Sequence, residues 1–150
     1  MVVGFTCGAF DLLHPGHLHM LQVASEQCDK LIVGLHTDPT NGRPEKQKSV
    51  QTTFERYIQL AYADFNLSIV PYDTERDLEN LFSVFDINKR FLGDDYEGKD
   101  FTAKKICEDL GIEIIYVPRK HTWSSSELKF RVRQTQPAYY DVDDLLRGPQ

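Results

Sequence analysis

Short β-rich runs and longer amphipathic stretches alternate along the whole chain, and this alternation limits the fold more than any single motif. Five runs read as strands, at residues 2–7, 30–35, 67–70, 90–93 and 112–117. The second, Lys30-Leu31-Ile32-Val33-Gly34-Leu35, is almost continuously apolar, as a strand covered on both faces requires. Helices are expected over 16–27, 53–62, 73–85, 99–110 and 124–133. Thr52 and Glu55 form a capping box at the second helix, Ser124 and Glu127 another at the last, and Gly111 suits a helix stop. The third strand is expected to end at Pro71, and residues 37–50, with Pro39, Asn41-Gly42 and Pro44, read as a loop. Strands alternating with helices imply a parallel sheet with right-handed crossovers. Such sheets bind ligands beyond the carboxyl ends of their strands, where strand order reverses.

Composition sets the outer bounds. A chain of 150 residues suits one domain, here 1–134, followed by a polar and acidic tail at 135–150 that we expect to be loosely held. A net charge of −6 and a pI near 5.3 argue against a dedicated nucleic-acid binder. No apolar run approaches the roughly 18 residues of a membrane span, and the first residues lack the basic region of a signal peptide. Cys7, Cys28 and Cys107 are odd in number and widely spaced, so they are expected as reduced thiols in a cytoplasmic protein.

The loop after the first strand reads Gly8-Ala9-Phe10-Asp11-Leu12-Leu13-His14-Pro15-Gly16-His17. It contains neither the dinucleotide fingerprint G-x-G-x-x-G nor a P-loop. Pro15 suits a first helical turn, and Gly16 lets a ligand approach the backbone. The free amides and partial positive charge of the helix N-terminus suit a phosphate. His14 and His17 could stabilise charge on that phosphate. Two plainer readings stand beside this one: the histidines as caps and packing residues, or a metal site completed by His19.

That stretch resembles the signature Gly-[Thr/Ala/Val]-Phe-Asp-Leu-Leu-His-x-Gly-His of the cytidylyltransferase-like nucleotidyltransferases. The resemblance covers about residues 1–133. It implies a Rossmann-like, doubly wound five-stranded parallel sheet of the HxGH nucleotidyltransferase type, an α/β fold. Gly93-Asp94-Asp95-Tyr96-Glu97-Gly98-Lys99 is similar to the Gly-Asp-Asp-Trp-Glu-Gly-Lys segment of the glycerol-3-phosphate cytidylyltransferase branch, and Lys46-Gln47-Lys48 matches its Lys-Gln-Lys. Arg119 and the triplet Ser124, Ser125 and Ser126 keep the spacing of the pattern Arg-Thr-Glu-Gly-Ile-Ser-Thr-Thr, while Lys120-His121-Thr122-Trp123 depart from it.

The resemblance implies transfer of CMP from CTP to a small phosphomonoester, glycerol 3-phosphate first, with release of pyrophosphate. His14, His17, Lys46 and Arg119 would be catalytic. Gly8, Ala9, Phe10, Gly16, Asp94, Arg119 and Ser124–Ser126 would hold the nucleotide. Asp11, Lys46, Lys48 and Arg56 would hold the acceptor, with a surface salt bridge as the plainer role for Arg56. Mg²⁺ would accompany the triphosphate, with its protein ligands, if any, unknown. A homodimer is expected, with no nucleic-acid or membrane partner. Rival expectations are an adenylyltransferase of the same fold, a non-catalytic nucleotide-binding module and a fragment similar to a tRNA synthetase.

Overall fold

A computed structural model describes residues 1–135 and 146, so the expected tail at 135–150 lies almost wholly outside the described residues. The chain runs β1 (Val3–Gly8), α1 (Pro15–Ser25), β2 (Lys30–His36), α2 (Thr53–Ala61), β3 (Leu67–Tyr72), α3 (Glu75–Val84) and β4 (Lys89–Gly93). A single 3₁₀ turn (Asp94–Tyr96), α4 (Lys104–Asp109), β5 (Glu113–Val117) and α5 (Ser125–Thr135) follow. The strands form one sheet in the order β3-β2-β1-β4-β5, and every adjacent pair is parallel. The order reverses between β1 and β4, which is where a ligand crevice is expected.

Alternation along the strands separates two cores. Leu31, Val33 and Leu35 of β2 point to one face, where they pack with Phe10, Leu21, Ala24, Leu60, Phe91 and Val117. Ile32 between them points to the other, with Phe5, Leu78, Phe82 and Cys107. Both faces of the sheet are therefore covered, the doubly wound arrangement expected from the sequence.

Local signals account for most element ends. Thr52 caps α2 as expected: its hydroxyl accepts from Glu55 N at 3.2 Å, and its own N–H donates to Glu55 Oε1 at 3.0 Å. Gly111, with φ +69°, stops α4 in a Schellman motif, in which Ile112 N–H donates to Cys107 O and Gly111 N–H to Glu108 O. Two expectations need correction. β3 runs through Pro71 to Tyr72, because β3 is an edge strand and a proline there leaves no ladder bond unmade. The fourth helix starts at Lys104 rather than at 99. The preceding residues are committed to Arg90, whose Nη1 donates to Thr102 O at 2.5 Å and whose guanidinium lies 4.7 Å from the Phe101 ring centre. Ala103 then turns at φ +65° before the helix begins.

Arg56 joins the elements on the ligand side. It is only 1% exposed. Its Nε donates to Gln51 O, one Nη to Ala9 O and His36 O, and the other to Thr37 O and Thr53 Oγ1. All five guanidinium donors are used, and they bind the exits of β1 and β2 to the start of α2. Lysine keeps the charge but has only three donors and no planar fork. Arg56→Lys is therefore expected to lower stability by about 3 kcal/mol or more, read as a lower urea midpoint; an unchanged midpoint would show that these bonds are dispensable.

Candidate active site

A cavity of about 650 Å³ opens over the carboxyl ends of β1 and β4. Its walls come from the β1 exit, the first turns of α1, loop 37–52, the 3₁₀ turn, and the β5–α5 connection.

The β1–α1 loop is bent tightly. Phe10 and Leu12, neither of them glycine, both sit at φ +51°, a left-handed geometry that holds only when its surroundings over-determine it. The surroundings do so here. Asp11, 5% exposed, accepts from Val50 N at 2.8 Å and from Gln51 N at 3.0 Å, and pairs with Lys129 Nζ at 3.3 Å. Leu12 N donates to Gln51 Oε1 at 2.7 Å, and Ser125 Oγ donates to Asp11 O at 2.8 Å. Burial opposes ionisation of Asp11, but the two amides and the Lys129 ammonium outweigh it and hold the carboxyl below its ordinary value.

The loop delivers His14 and His17 to the start of α1. His14 is the N-cap, and its Nδ1 accepts from Gly16 N at 3.0 Å. The His17 ring reaches back, and its Nδ1 accepts from His14 N at 3.2 Å. The two imidazoles thus form a capping box between themselves and stack with ring centres 3.7 Å apart. An accepting Nδ1 carries no proton, so each neutral ring has its proton on Nε2. Both residues line the cavity, and Nε2–H is the free donor of each. Burial first, then the neighbouring His14, push His17 down to about 3, with Asp11 opposing them and Arg119 adding the smallest push. Burial, Arg119 and His121 lower His14 as well. Both rings are therefore neutral near pH 7. Gly16 is required here, since a Cβ would lie 2.8 Å from His14 Cε1 and 2.9 Å from His121 Cε1.

Much of the expected site comes together. Gly8, Ala9, Phe10, Asp11, His14, Gly16, His17, Lys46, Arg119, Ser124, Ser125 and Ser126 all line this cavity. Arg119 is exposed, its Nη2 donating to Trp123 O at 2.8 Å. Ser124 caps α5 by accepting from Glu127 N at 3.0 Å, while the Glu127 carboxylate pairs with Arg131 instead of closing the box.

Four assignments change. Arg56 is neither an acceptor ligand nor a surface salt bridge, because its donors all bind the protein's own oxygens. Asp11 reaches the cavity wall, but its carboxylate oxygens are occupied in anchoring loop 37–52. Lys48 lies on a separate depression beside Asp38 and the start of α2. Asp94 opens the 3₁₀ turn and is exposed outside the cavity, while Asp95 and Tyr96 line it. Among the described residues no cluster of three or more His, Cys, Asp and Glu is placed to hold a metal ion, so His14, His17 and His19 do not make one.

Sequence reasoning did not place Lys129 on the site, although it lines the cavity. Lys129 follows Ser125 by one helical turn, a spacing that could have put it on the same face. Arg43 pairs with Glu75 at 3.5 Å and donates to Thr102 Oγ1, contacts without a local signal.

The cysteines of the described chain are free, and no helix among the described residues is long and apolar enough to cross a membrane.

Comparison with known proteins agrees with this arrangement. The cytidylyltransferase-like family model matches residues 5–131. Glycerol-3-phosphate cytidylyltransferase of Bacillus spizizenii is 34% identical over 125 residues, covering 83% of this chain and 92% of that protein. The bifunctional protein HldE of Caulobacter vibrioides is 33% identical over 131 residues, 87% of this chain, which spans only 27% of HldE. Among solved structures, the lipopolysaccharide core biosynthesis protein of Thermoplasma volcanium superposes with a TM-score of 0.62 at 22% identity, covering 82% of this chain and 99% of that one. Pantothenate synthetase of Thermus thermophilus superposes at 0.63 with 17% identity, covering 89% and 64%, so these two likenesses speak to the fold alone. With its signature loop, its parallel sheet and a family match spanning residues 5–131, the chain belongs to the cytidylyltransferase-like nucleotidyltransferases.

Proposed function

We propose that this protein transfers CMP from CTP, bound with Mg²⁺, to a small phosphomonoester, with glycerol 3-phosphate the first candidate, and releases pyrophosphate. The observation that carries this reading is the histidine capping box, which fixes two neutral imidazoles on the cavity wall with Nε2–H as the free donor of each. A phosphomonoester oxygen is already nucleophilic at neutral pH, so no general base is needed. Catalysis is then positioning and charge stabilisation around an in-line displacement at the α-phosphorus.

His14 and His17 donate to the phosphate oxygens as charge builds on them. The free amides at the start of α5, with the serine triplet, seat the remaining phosphates. Lys46, Arg119 and Arg43 supply the positive charge expected around two phosphorylated substrates. The Mg²⁺ enters as part of the triphosphate substrate, held mainly by phosphate oxygens and water. The similarity to glycerol-3-phosphate cytidylyltransferase over 92% of that protein supports this acceptor over others. A dimer and a cytoplasmic setting belong to the same reading.

The direct test is pyrophosphate release with CTP, ATP, GTP or UTP crossed with glycerol 3-phosphate, phosphocholine, phosphoethanolamine and a heptose phosphate. Release with CTP and glycerol 3-phosphate is expected, and His17→Ala should lower kcat about a hundredfold or more. Release with ATP alone would move the protein to an adenylyl transfer. Nucleotide binding with no release for any pair would make it a binding module.

The neutral imidazoles also fix the pH response. The folded state holds His17 unprotonated down to about pH 3, whereas the unfolded chain takes up its proton near 6.5. The unfolded state therefore binds more protons between those values, and stability present above pH 6.5 is lost as pH falls. Between pH 7 and pH 5 His17 alone should account for about 2 kcal/mol of that loss. Urea midpoints measured across this range should fall for the native protein and fall less steeply for His17→Gln. Parallel slopes would show that His17 is protonated in the folded state.

A further inference from the structure

The chain buries two arginines, and the protein satisfies only one of them. Arg56 is almost fully enclosed, and every donor of its guanidinium is met. Arg90 is 2% exposed, yet its hydrogen bonds come from Nη1 alone, to Thr102 O and Cys107 Sγ. Its Nε is enclosed without a partner. Its Nη2 is neither bonded nor enclosed among the described residues. No carboxylate pairs with Arg90 among the described residues. The rings of Phe82 and Phe101, centred 5.2 and 4.7 Å from the guanidinium carbon, stabilise the cation but accept nothing from Nη2. A buried cation without a counter-charge is costly, and a strand covered on both faces calls for an apolar side chain here.

Arg90 lines the cavity, and it does so away from the histidines. Helix α1, which carries His14 and His17, packs on the Leu31–Val33–Leu35 face of the sheet. Arg90 projects to the other face, beside Phe82 and Cys107. Cys7, Tyr72 and Thr102 line the cavity on this side. Burial pushes the Cys7 thiol and the Tyr72 hydroxyl above their ordinary values, so both remain protonated donors. The carboxylates of the cavity leave Arg90 uncompensated. Glu75 is taken by Arg43 and the Thr102 hydroxyl, Asp11 by Lys129 and two amides, and Asp95 and Glu45 are exposed. An unpaired guanidinium among neutral donors is a seat for an oxyanion.

We propose that Arg90 binds a carboxylate on the acceptor, so that the preferred acceptor is a phosphorylated hydroxy acid. The inference rests on the nucleotidyl-transfer reading. In that reading the acceptor phosphate meets the α-phosphorus beside the histidines, which leaves the far end of the acceptor for the Arg90 recess. Glycerol 3-phosphate offers this recess only hydroxyls. The acids of the same skeleton, glycerate 2-phosphate and glycerate 3-phosphate, offer the missing negative charge. Arg90 is thus a specificity residue, and it acts by leaving one buried charge for the substrate to neutralise.

The test is calorimetric titration of the full chain and its Arg90→Met variant with these three phosphomonoesters, with and without a non-hydrolysable CTP analogue. At least one glycerate phosphate should bind the native protein about tenfold or more tighter than glycerol 3-phosphate. Losing a hydrogen bond to a charged group should weaken that acid about ten- to hundredfold in Arg90→Met, while glycerol 3-phosphate changes less than threefold. In the native protein the Arg90 Nε–H resonance, identified by its loss in Arg90→Met, should move with the glycerate phosphate and stay in place with glycerol 3-phosphate. Glycerol 3-phosphate bound as tightly as both acids, an equal loss for all three in Arg90→Met, or an Arg90 resonance that no acid moves would each overturn the proposal. The outcomes separate the two readings. An acid that binds through Arg90 but receives no CMP would sink the transfer reaction and leave this subsite standing. CMP transfer to glycerol 3-phosphate with no preference for either acid would do the reverse.

Discussion

The five donors of Arg56 hold the ligand side of this molecule together. Strands of a parallel sheet end in carbonyls that the ladder no longer satisfies, and at the exits of β1 and β2 these carbonyls are removed from water. A single guanidinium accepts that burden, binding Ala9, His36, Thr37 and Gln51 carbonyls and the Thr53 hydroxyl. Burying a cation is costly unless its donors are met, and here four backbone carbonyls and the Thr53 hydroxyl meet all of them, with Asp11 and Asp38 supplying nearby negative charge. Asp11 is the counterpart of opposite sign. It takes the Val50 and Gln51 amides and so anchors the same loop from the other side. The left-handed Phe10 and Leu12 are held between these two anchors, and the position of His14 follows from theirs.

In the proposed reaction, one set of hydrogen bonds at the histidine pair serves stability and chemistry together. As caps, His14 and His17 satisfy two amides at the start of α1. The same bonds select the Nε2–H tautomer and favour the neutral form, because a protonated Nδ1 could not accept them. Reading these residues as caps or as phosphate ligands is therefore no choice between alternatives. The cap is what orients the donor.

The legible parts of the sequence were those with short-range causes. The Thr52–Glu55 box, the Gly111 stop, the continuous apolar run of β2 and the His14–His17 motif are all set by residues within a few positions of one another, and the structure contains each. Misassignment came where a side chain's partners lie far along the chain. Arg56 reads as a surface residue beside Glu55, yet two of its acceptors, Ala9 and His36, are 47 and 20 residues away. Lys46 and Lys48 look equivalent in sequence, and only the path of the loop puts one on the cavity and the other beyond it. The late start of α4 has the same origin, since nothing near residue 99 announces that Phe101 and Thr102 will be held by Arg90.

By itself, then, the sequence determined the α/β class, the strand and helix complement, and the tight loop after β1 that caps α1. These follow from periodicity, capping and turn residues, which act over one or two helical turns. Only the tertiary structure decided which polar groups face the cavity and which are taken up by the protein itself. A charged side chain looks the same in sequence whether its partner is solvent, substrate or a distant carbonyl. Its role is settled by desolvation, and desolvation depends on what the whole fold places around it.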